Sequence, residues 1–277
     1  MADQAERLRA LVKENKTNVN PVRVITITSG KGGVGKTNFA VNLGIALSKL
    51  GKKVLLFDAD LGLANVDVML GIIPKYNLGH VLLGEKKIAD IIISGPADMR
   101  IIPSGSGIYK LANMGDKKLA QCIEHLNQLE KGTDIILIDT GAGLSKNVLK
   151  FVLAAGEVII VTTPEPTAIT DAYGIIKVII ASKRDLPIQV VVNMVKNEKE
   201  ADEIMQRLSA VSQRFLGVDL VNLGFVPLDT VVPKAVKEQQ PFILSHPRSA
   251  VAQSINKIAT ELIKGNIQSA TGSLTFF

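Results

Sequence analysis

Residues Gly30-Lys31-Gly32-Gly33-Val34-Gly35-Lys36-Thr37 form a string of the type G-x-x-x-x-G-K-[ST]. An apolar stretch, Val22 to Ile27, precedes it, and an apolar-periodic one follows: Phe39, Ala40, Leu43, Ala46, Leu47 and Leu50. Strand, glycine loop and helix in that order are the context in which such a string binds phosphate. Its glycines let backbone N–H groups converge on an anion at the positive end of a helix. In that reading Lys36 reaches the β- and γ-phosphates and the Thr37 hydroxyl is a Mg²⁺ ligand. Lys31 is one lysine more than the loop needs to cradle phosphates in its own chain.

Three further positions can complete a phosphate-transfer site. An apolar run ends in Asp58-Ala59-Asp60-Leu61-Gly62-Leu63-Ala64-Asn65. In an open parallel sheet, ligands gather at the carboxyl ends of strands, so both acids would face the phosphate loop. One acid could orient the attacking water while the other helps hold the metal's shell; the alternative is a pair of turn-forming aspartates beside Gly62. We assign the water to Asp60, and Mg²⁺ to Asp58 and Asp139. Asp139 ends another apolar run and is followed by Thr140-Gly141-Ala142-Gly143, whose second glycine can offer its N–H to a γ-phosphate. Asn193 ends the run Gln189–Val192; it both donates and accepts, which suits an adenine edge or an ordinary strand-end turn.

The elements that must position these groups alternate along the chain. Strands are expected near 22–28, 53–58, 99–102, 134–139, 157–162, 188–193 and 220–226. Helices are expected near 36–50, 116–131, 145–153, 168–182, 198–215 and 248–264. Alternation of this kind predicts an α/β fold, a doubly wound, mostly parallel sheet with helices on both faces. Unbroken apolar strands such as Ile135–Ile138 and Val158–Val161 suit a sheet covered on both sides. The 277 residues, 47% hydrophobic, can be organised as a short charged arm and polar linker at 1–20, a phosphate-loop domain at 21–264, and a tail at 265–277.

Composition narrows the function classes. The single cysteine, Cys122, excludes an internal disulfide and a multi-cysteine metal site, and its helical apolar setting predicts a buried thiol. No apolar run reaches the roughly 18 residues of a membrane span, and no signal-peptide core opens the chain. A cytoplasmic location is therefore expected. The net charge of +6 is dispersed in pairs such as Lys52-Lys53, Lys86-Lys87 and Lys117-Lys118, so nucleic acid is not the expected partner.

Taken together, Lys31-Gly-Gly-Val-Gly-Lys36-Thr37, Asp58-Ala-Asp60-Leu-Gly, Ile138-Asp139-Thr-Gly-Ala-Gly143, Pro164-Glu165-Pro166-Thr167, Val192-Asn193 and Gly224-Phe225-Val226-Pro227 resemble, in type and order, the MinD/ParA family of ATPases with a deviant phosphate loop. The resemblance implies ATP and Mg²⁺ as cofactors, slow hydrolysis to ADP and phosphate, and an ATP-dependent homodimer in which Lys31 crosses to the partner's nucleotide. Lys31, Lys36 and Asp60 would then be the catalytic set, with Asn193 and Pro227 on the base. Within the family the chain most resembles the FlhG (YlxH/FleN) group, which sets flagellar number and placement. The segment Asp3-Gln4-Ala5-Glu6-Arg7-Leu8-Arg9 is similar to that group's N-terminal activator of the GTPase FlhF. Asp3, Gln4, Ala5, Leu8 and Arg9 are the expected contacts. The flagellar switch proteins FliM and FliN/FliY, and a transient, peripheral association with the membrane's inner face, are the other implied partners. The group's C-terminal membrane-targeting helix is not matched: residues 265–277 read as the start of such a segment or as a weakly binding form. A MinD-type division-site regulator and a ParA-type DNA-partitioning ATPase are the alternatives. One cysteine cannot build the cluster of the family's iron–sulfur carriers, and no tyrosine occurs in the tail as in the related tyrosine kinases.

Overall fold

The computed structural model describes residues 22–61, 65–105, 115–127, 129 and 132–265. The arm at 1–20, its five expected contact residues, Gly62 to Ala64 and the tail beyond Gly265 lie outside the described residues. Eight strands form one sheet: β1 (Arg23–Thr28), β2 (Val54–Ala59), β3 (Ile93–Ser94), β4 (Arg100–Ile102), β5 (Ile135–Thr140), β6 (Glu157–Thr162), β7 (Ile188–Val195) and β8 (Val221–Pro227). Their spatial order is β3-β4-β2-β5-β1-β6-β7-β8. Every neighbouring pair runs parallel except β3 with β4. The doubly wound α/β sheet expected from the sequence is present.

Helices cover both faces: α1 (Lys36–Lys49), α2 (Val66–Leu70), α3 (Leu78–Leu82), α4 (Asp116–Asn127), α5 (Lys146–Ala154), α6 (Pro166–Ser182), α7 (Glu198–Leu216), α8 (Val231–Lys237), α9 (Phe242–Ser245) and α10 (Ala250–Lys264). The strands alternate their side chains between the two layers. Ile25 and Ile27 of β1 join Leu56, Leu137, Ile159 and Val191 under α1 and α10. On the other face Val24, Leu55, Phe57 and Ile138 pack with Cys122 and Phe151, and Val158 and Ile160 pack under α6 and α7. Phe57 and Phe151 meet edge to face at 5.6 Å, the geometry their ring quadrupoles favour. Burial pushes the Cys122 thiol up to about 12, so it is an inert core group, as expected.

Five elements were not expected: β3, α2, α3, α8 and α9. All have seven residues or fewer, too short for a 3.6-residue period to register. Two of them border the functional cleft: Val68 and Met69 of α2 and Val236 of α8 line it.

The end of the sheet away from that cleft is fastened by a buried ion pair. The Arg23 guanidinium donates to both carboxylate oxygens of Glu157 at 2.8 Å and to the Leu262 carbonyl of α10 at 2.7 Å. Gln189 donates to the same carboxylate at 3.0 Å. Glu157 is fully enclosed, so removing its partner strands a charge in low dielectric. Arg23→Met should therefore lower the unfolding free energy by about 3 kcal/mol in urea titrations. The double variant Arg23→Met/Glu157→Leu should recover most of that loss. A single-variant loss below about 1 kcal/mol would show that the pair is not a structural tie.

Candidate nucleotide and metal site

The phosphate loop leaves β1 at Ser29 and enters α1 at Lys36. Gly33 and Gly35 hold φ values of +79° and +87°, conformations that a Cβ would strain. A Cβ on Gly35 would also stand 2.4 Å from the Asn193 amide nitrogen. No side chain caps the start of α1, so its first N–H groups point outward unpaired by any capping oxygen, at the positive end of the helix. They open on a cleft of about 770 Å³ whose walls include Lys36, Thr37, Asp60 and Gly141. The loop, the two strand ends and the region after β5 thus meet as the sequence led us to expect.

Beneath this cleft the charges are poorly compensated. Asp58 and Asp139 are register partners on β2 and β5, and both are buried. No hydrogen bond of ordinary geometry reaches either Asp139 oxygen. Burial pushes Asp139 up to about 7; the nearby Thr37 hydroxyl and Lys36 charge offset part of that, and Asp60 adds to it. Burial lowers Lys36 in turn, against the pull of Asp139 and Asp60. Asp58 lies well above the ordinary carboxylate range through burial and the proximity of Asp139. It accepts backbone N–H groups from Asp60, Asn65 and Val66 at 3.1, 3.2 and 3.3 Å. β2 ends at Ala59, so Asp60 faces the cleft from a turn that Asp58 organises, not from a continuing strand.

These residues fit a hard divalent cation. Among the described residues no three His, Cys, Asp or Glu side chains cluster to make a protein-only metal cage. A hydroxyl, Thr37, and a carboxylate with two unsatisfied oxygens, Asp139, instead adjoin the place where phosphate oxygens would lie. Mg²⁺ is commonly held by such a mixture of one or two protein ligands, phosphates and water.

Three placements could not be read beforehand. Gly143 donates its N–H to the Ser29 carbonyl at 2.9 Å, tying the loop after β5 to the phosphate loop. That N–H reaches a phosphate only if this bond opens. The Lys31 ammonium turns away from its own cleft, to Glu165 at 2.5 Å and the Thr167 hydroxyl at 2.9 Å at the start of α6. Glu165 is largely exposed and Lys31 partly so, so the pair contributes about 0–1 kcal/mol and is easily exchanged. Asn193 donates to the Val34 carbonyl inside the loop at 2.7 Å and accepts its neighbour Met194's N–H at 2.9 Å. Met194 takes a left-handed φ of +59° at a bulge in β7. Asn193 and Pro227 do share a small apolar cavity of about 100 Å³ with Phe39 and Phe242, which adjoins the cleft through Gly35 and Asn38.

A raised Asp139 has a definite linkage sign. The folded chain binds this proton more tightly than the unfolded chain, so its contribution is present below about pH 4 and lost as pH rises through about 7. In the nucleotide-free protein Asp139→Asn should therefore raise Tm at pH 8 by at least about 3 °C. The gain should fall to less than half of that near pH 5, and the stabilisation by Mg–ADP should be lost. Equal Tm differences at both pH values would contradict this. Asn193→Ala should weaken binding of Mg–tripolyphosphate, which has no base, by at least about fivefold, because it releases Val34. Unchanged tripolyphosphate affinity would confine Asn193 to the base.

The matches to known proteins agree with this geometry. Residues 25–242 match the CobQ/CobB/MinD/ParA nucleotide binding domain. The chain is 40% identical over 245 residues to the antiactivator FleN of Pseudomonas aeruginosa, covering 88% of each. It is 38% identical over 271 residues to the flagellum site-determining protein YlxH of Helicobacter pylori, covering 95% of this chain and 91% of that one. The MinD of Pyrococcus horikoshii, solved with Mg-ADP, superimposes with a TM-score of 0.76 at 30% identity, over 90% of this chain and 99% of its own. A phosphate loop on the expected strand, two buried carboxylates beside it and likeness over nearly the whole chain lead to one assignment: the protein belongs to the MinD/ParA family and is a MinD-like, Mg²⁺-dependent ATP hydrolase.

Proposed function

We propose that the protein is an ATP-driven dimerisation switch that sets flagellar number and placement. The flagellar part rests on the identity to FleN and YlxH, 40% and 38%, against 30% to the Pyrococcus MinD. A division-site role is the second reading and draws on that fold match and on the lower identity, 33%, to the septum site-determining MinD of Bacillus subtilis.

The observation that carries the dimer is the character of the cleft's rim. Val68 (53%) and Val236 (39%) stand exposed in its wall, Leu144 (46%) is exposed next to the lining residue Ser145, and Leu228 (67%) is exposed at the adjoining apolar cavity. Apolar groups gathered at one mouth favour a partner surface, and Lys31 is placed beside that mouth, not within it. In the dimer each Lys31 leaves Glu165 and Thr167 for the partner's phosphates. Lys36 compensates β/γ charge, Asp60 orients the attacking water, and Asp139 with Thr37 holds the metal, which spreads the charge that develops on the phosphates. Asp58 supports the metal side through the turn it fastens. Asn193 and Pro227 flank the base. Loss of γ-phosphate lets Gly143 return to Ser29, and the pair separates.

The outputs are FlhF, contacted through Asp3, Gln4, Ala5, Leu8 and Arg9, and the switch proteins FliM and FliN/FliY. The membrane's inner face is engaged reversibly. The arm at 1–20 acts as an independent activator, the body at 21–264 as the switch, and 265–277 as the membrane-facing tail.

Lys36→Ala should abolish tight ADP binding, whereas Lys31→Ala should leave monomer ADP affinity within about threefold and remove ATP-dependent dimer. Asp60→Ala should keep the dimer and lose about 10²-fold or more in turnover. Light scattering with ATP and a phosphate-release assay read both; a Lys31→Ala protein that still dimerises, or a fully active Asp60→Ala, refutes the roles given. Deleting residues 1–20 should spare dimerisation and remove stimulation of FlhF's GTPase. Full stimulation by the truncated protein would contradict the arm's role.

A further inference from the structure

At the end of the sheet opposite the nucleotide cleft, three turns enclose a second concavity of about 460 Å³. One turn follows α1, one precedes β4 and one precedes β5; Ser48, Lys52, Lys53, Asp98 and Arg100 line it. Lys52 and Lys53 have no hydrogen-bond or ion-pair partner for their ammonium groups among the described residues. Among the described residues Arg100 bonds only neutral oxygens, the Gly132 carbonyl at 3.3 Å and the Thr133 hydroxyl. The Ser48 hydroxyl is buried without a partner. Asp98 is the one carboxylate among the described lining residues; a second carboxylate, on the adjacent Asp134, accepts the Lys53 backbone N–H at 2.7 Å.

The backbone is shaped around this space at some cost. Gly51 and Gly132 hold φ values of +82° and +79°, and the consecutive non-glycine residues Ala97 and Asp98 hold +54° and +59°. Non-glycine residues adopt that region singly and unfavourably, and such outliers gather at working sites. Three cations and an unpartnered hydroxyl outnumber the lining carboxylate and the neighbouring Asp134, which leaves more donors than acceptors. A tetrahedral oxyanion supplies the acceptors such a lining needs, and the guanidinium fork suits phosphate in particular. The volume lies within the range of small-molecule sites.

We propose that this concavity is a second anion site, which takes the phosphate group of a ligand distinct from the hydrolysed nucleotide. Lys52, Lys53 and Arg100 neutralise the phosphate and Ser48 donates to it. The site stands independently of the flagellar reading and of dimerisation.

The test fills the phosphate loop first. Wild-type protein saturated with Mg–ADP is titrated calorimetrically with pyrophosphate and, in a second arm, sedimented with phosphatidylglycerol vesicles. A soluble phosphate ligand gives saturable pyrophosphate binding with a Kd below about 1 mM; a lipid headgroup gives vesicle binding instead. In either arm Lys52→Gln/Arg100→Gln should weaken binding at least about tenfold and Ser48→Ala about twofold. Lys86→Gln/Lys87→Gln, a basic pair elsewhere with Lys86 over the Tyr76 ring, should change nothing, and equal Tm values keep the comparison to folded protein. No saturable binding in either arm, or equal loss in the control pair, would overturn the proposal and leave the lysines as partners of the α1 C-terminal carbonyls.

Discussion

A buried carboxylate with no hydrogen bond of ordinary geometry among the described residues sits at the carboxyl end of the sheet's central strands. Asp139 is held there by β5, between the strand that carries the phosphate loop and the strand that carries Asp58. Its charge is opposed by burial and answered only in part by Lys36 and Thr37. Such a group is costly in the empty protein and valuable once a divalent cation arrives. The rest of the site follows from that imbalance: Asp58 is turned to the backbone, Asp60 is set at the rim, and Lys36 is kept in a poorly solvated position where its charge acts strongly on phosphate.

The two ends of the sheet solve the problem of buried charge differently. At the far end Glu157 is met by Arg23 and Gln189 and ties β1, β6, β7 and α10 into one body. At the near end the compensation is incomplete and the ties are ones that can open: Gly143 to Ser29, and Lys31 to Glu165 and Thr167. A rigid floor and a weakly latched mouth let a small ligand rearrange the mouth without disturbing the core.

Much of this was legible in the sequence because strong local rules agreed. Seven strands and six helices carried clear periodicity, and the glycine loop, Asp58-Ala-Asp60 and Asp139-Thr-Gly stood at strand ends where ligands gather. The short α2 and α8 escaped because two turns of helix carry no usable period, although they form part of the cleft wall. The left-handed Met194 and the Asn193–Val34 bond left no signal either, since both arise from β7 meeting the phosphate loop across 159 residues. Glu165 and Thr167 were visible as a motif but not as the place where Lys31 rests. The paired aspartates proved half turn chemistry and half site chemistry: Asp58 does with its carboxylate what a turn aspartate does, at a position next to the metal side.

With its carboxyl pushed up to about 7, Asp139 carries a proton near pH 6.5 in the nucleotide-free site and gives it up when the metal arrives. Calorimetric titration with Mg–ADP near pH 6.5, repeated in buffers of different ionisation enthalpy, counts that proton. A net release on binding that disappears in Asp139→Asn is the expected result. Binding by the wild-type protein with no buffer dependence, or with the same proton count in the variant, would contradict it.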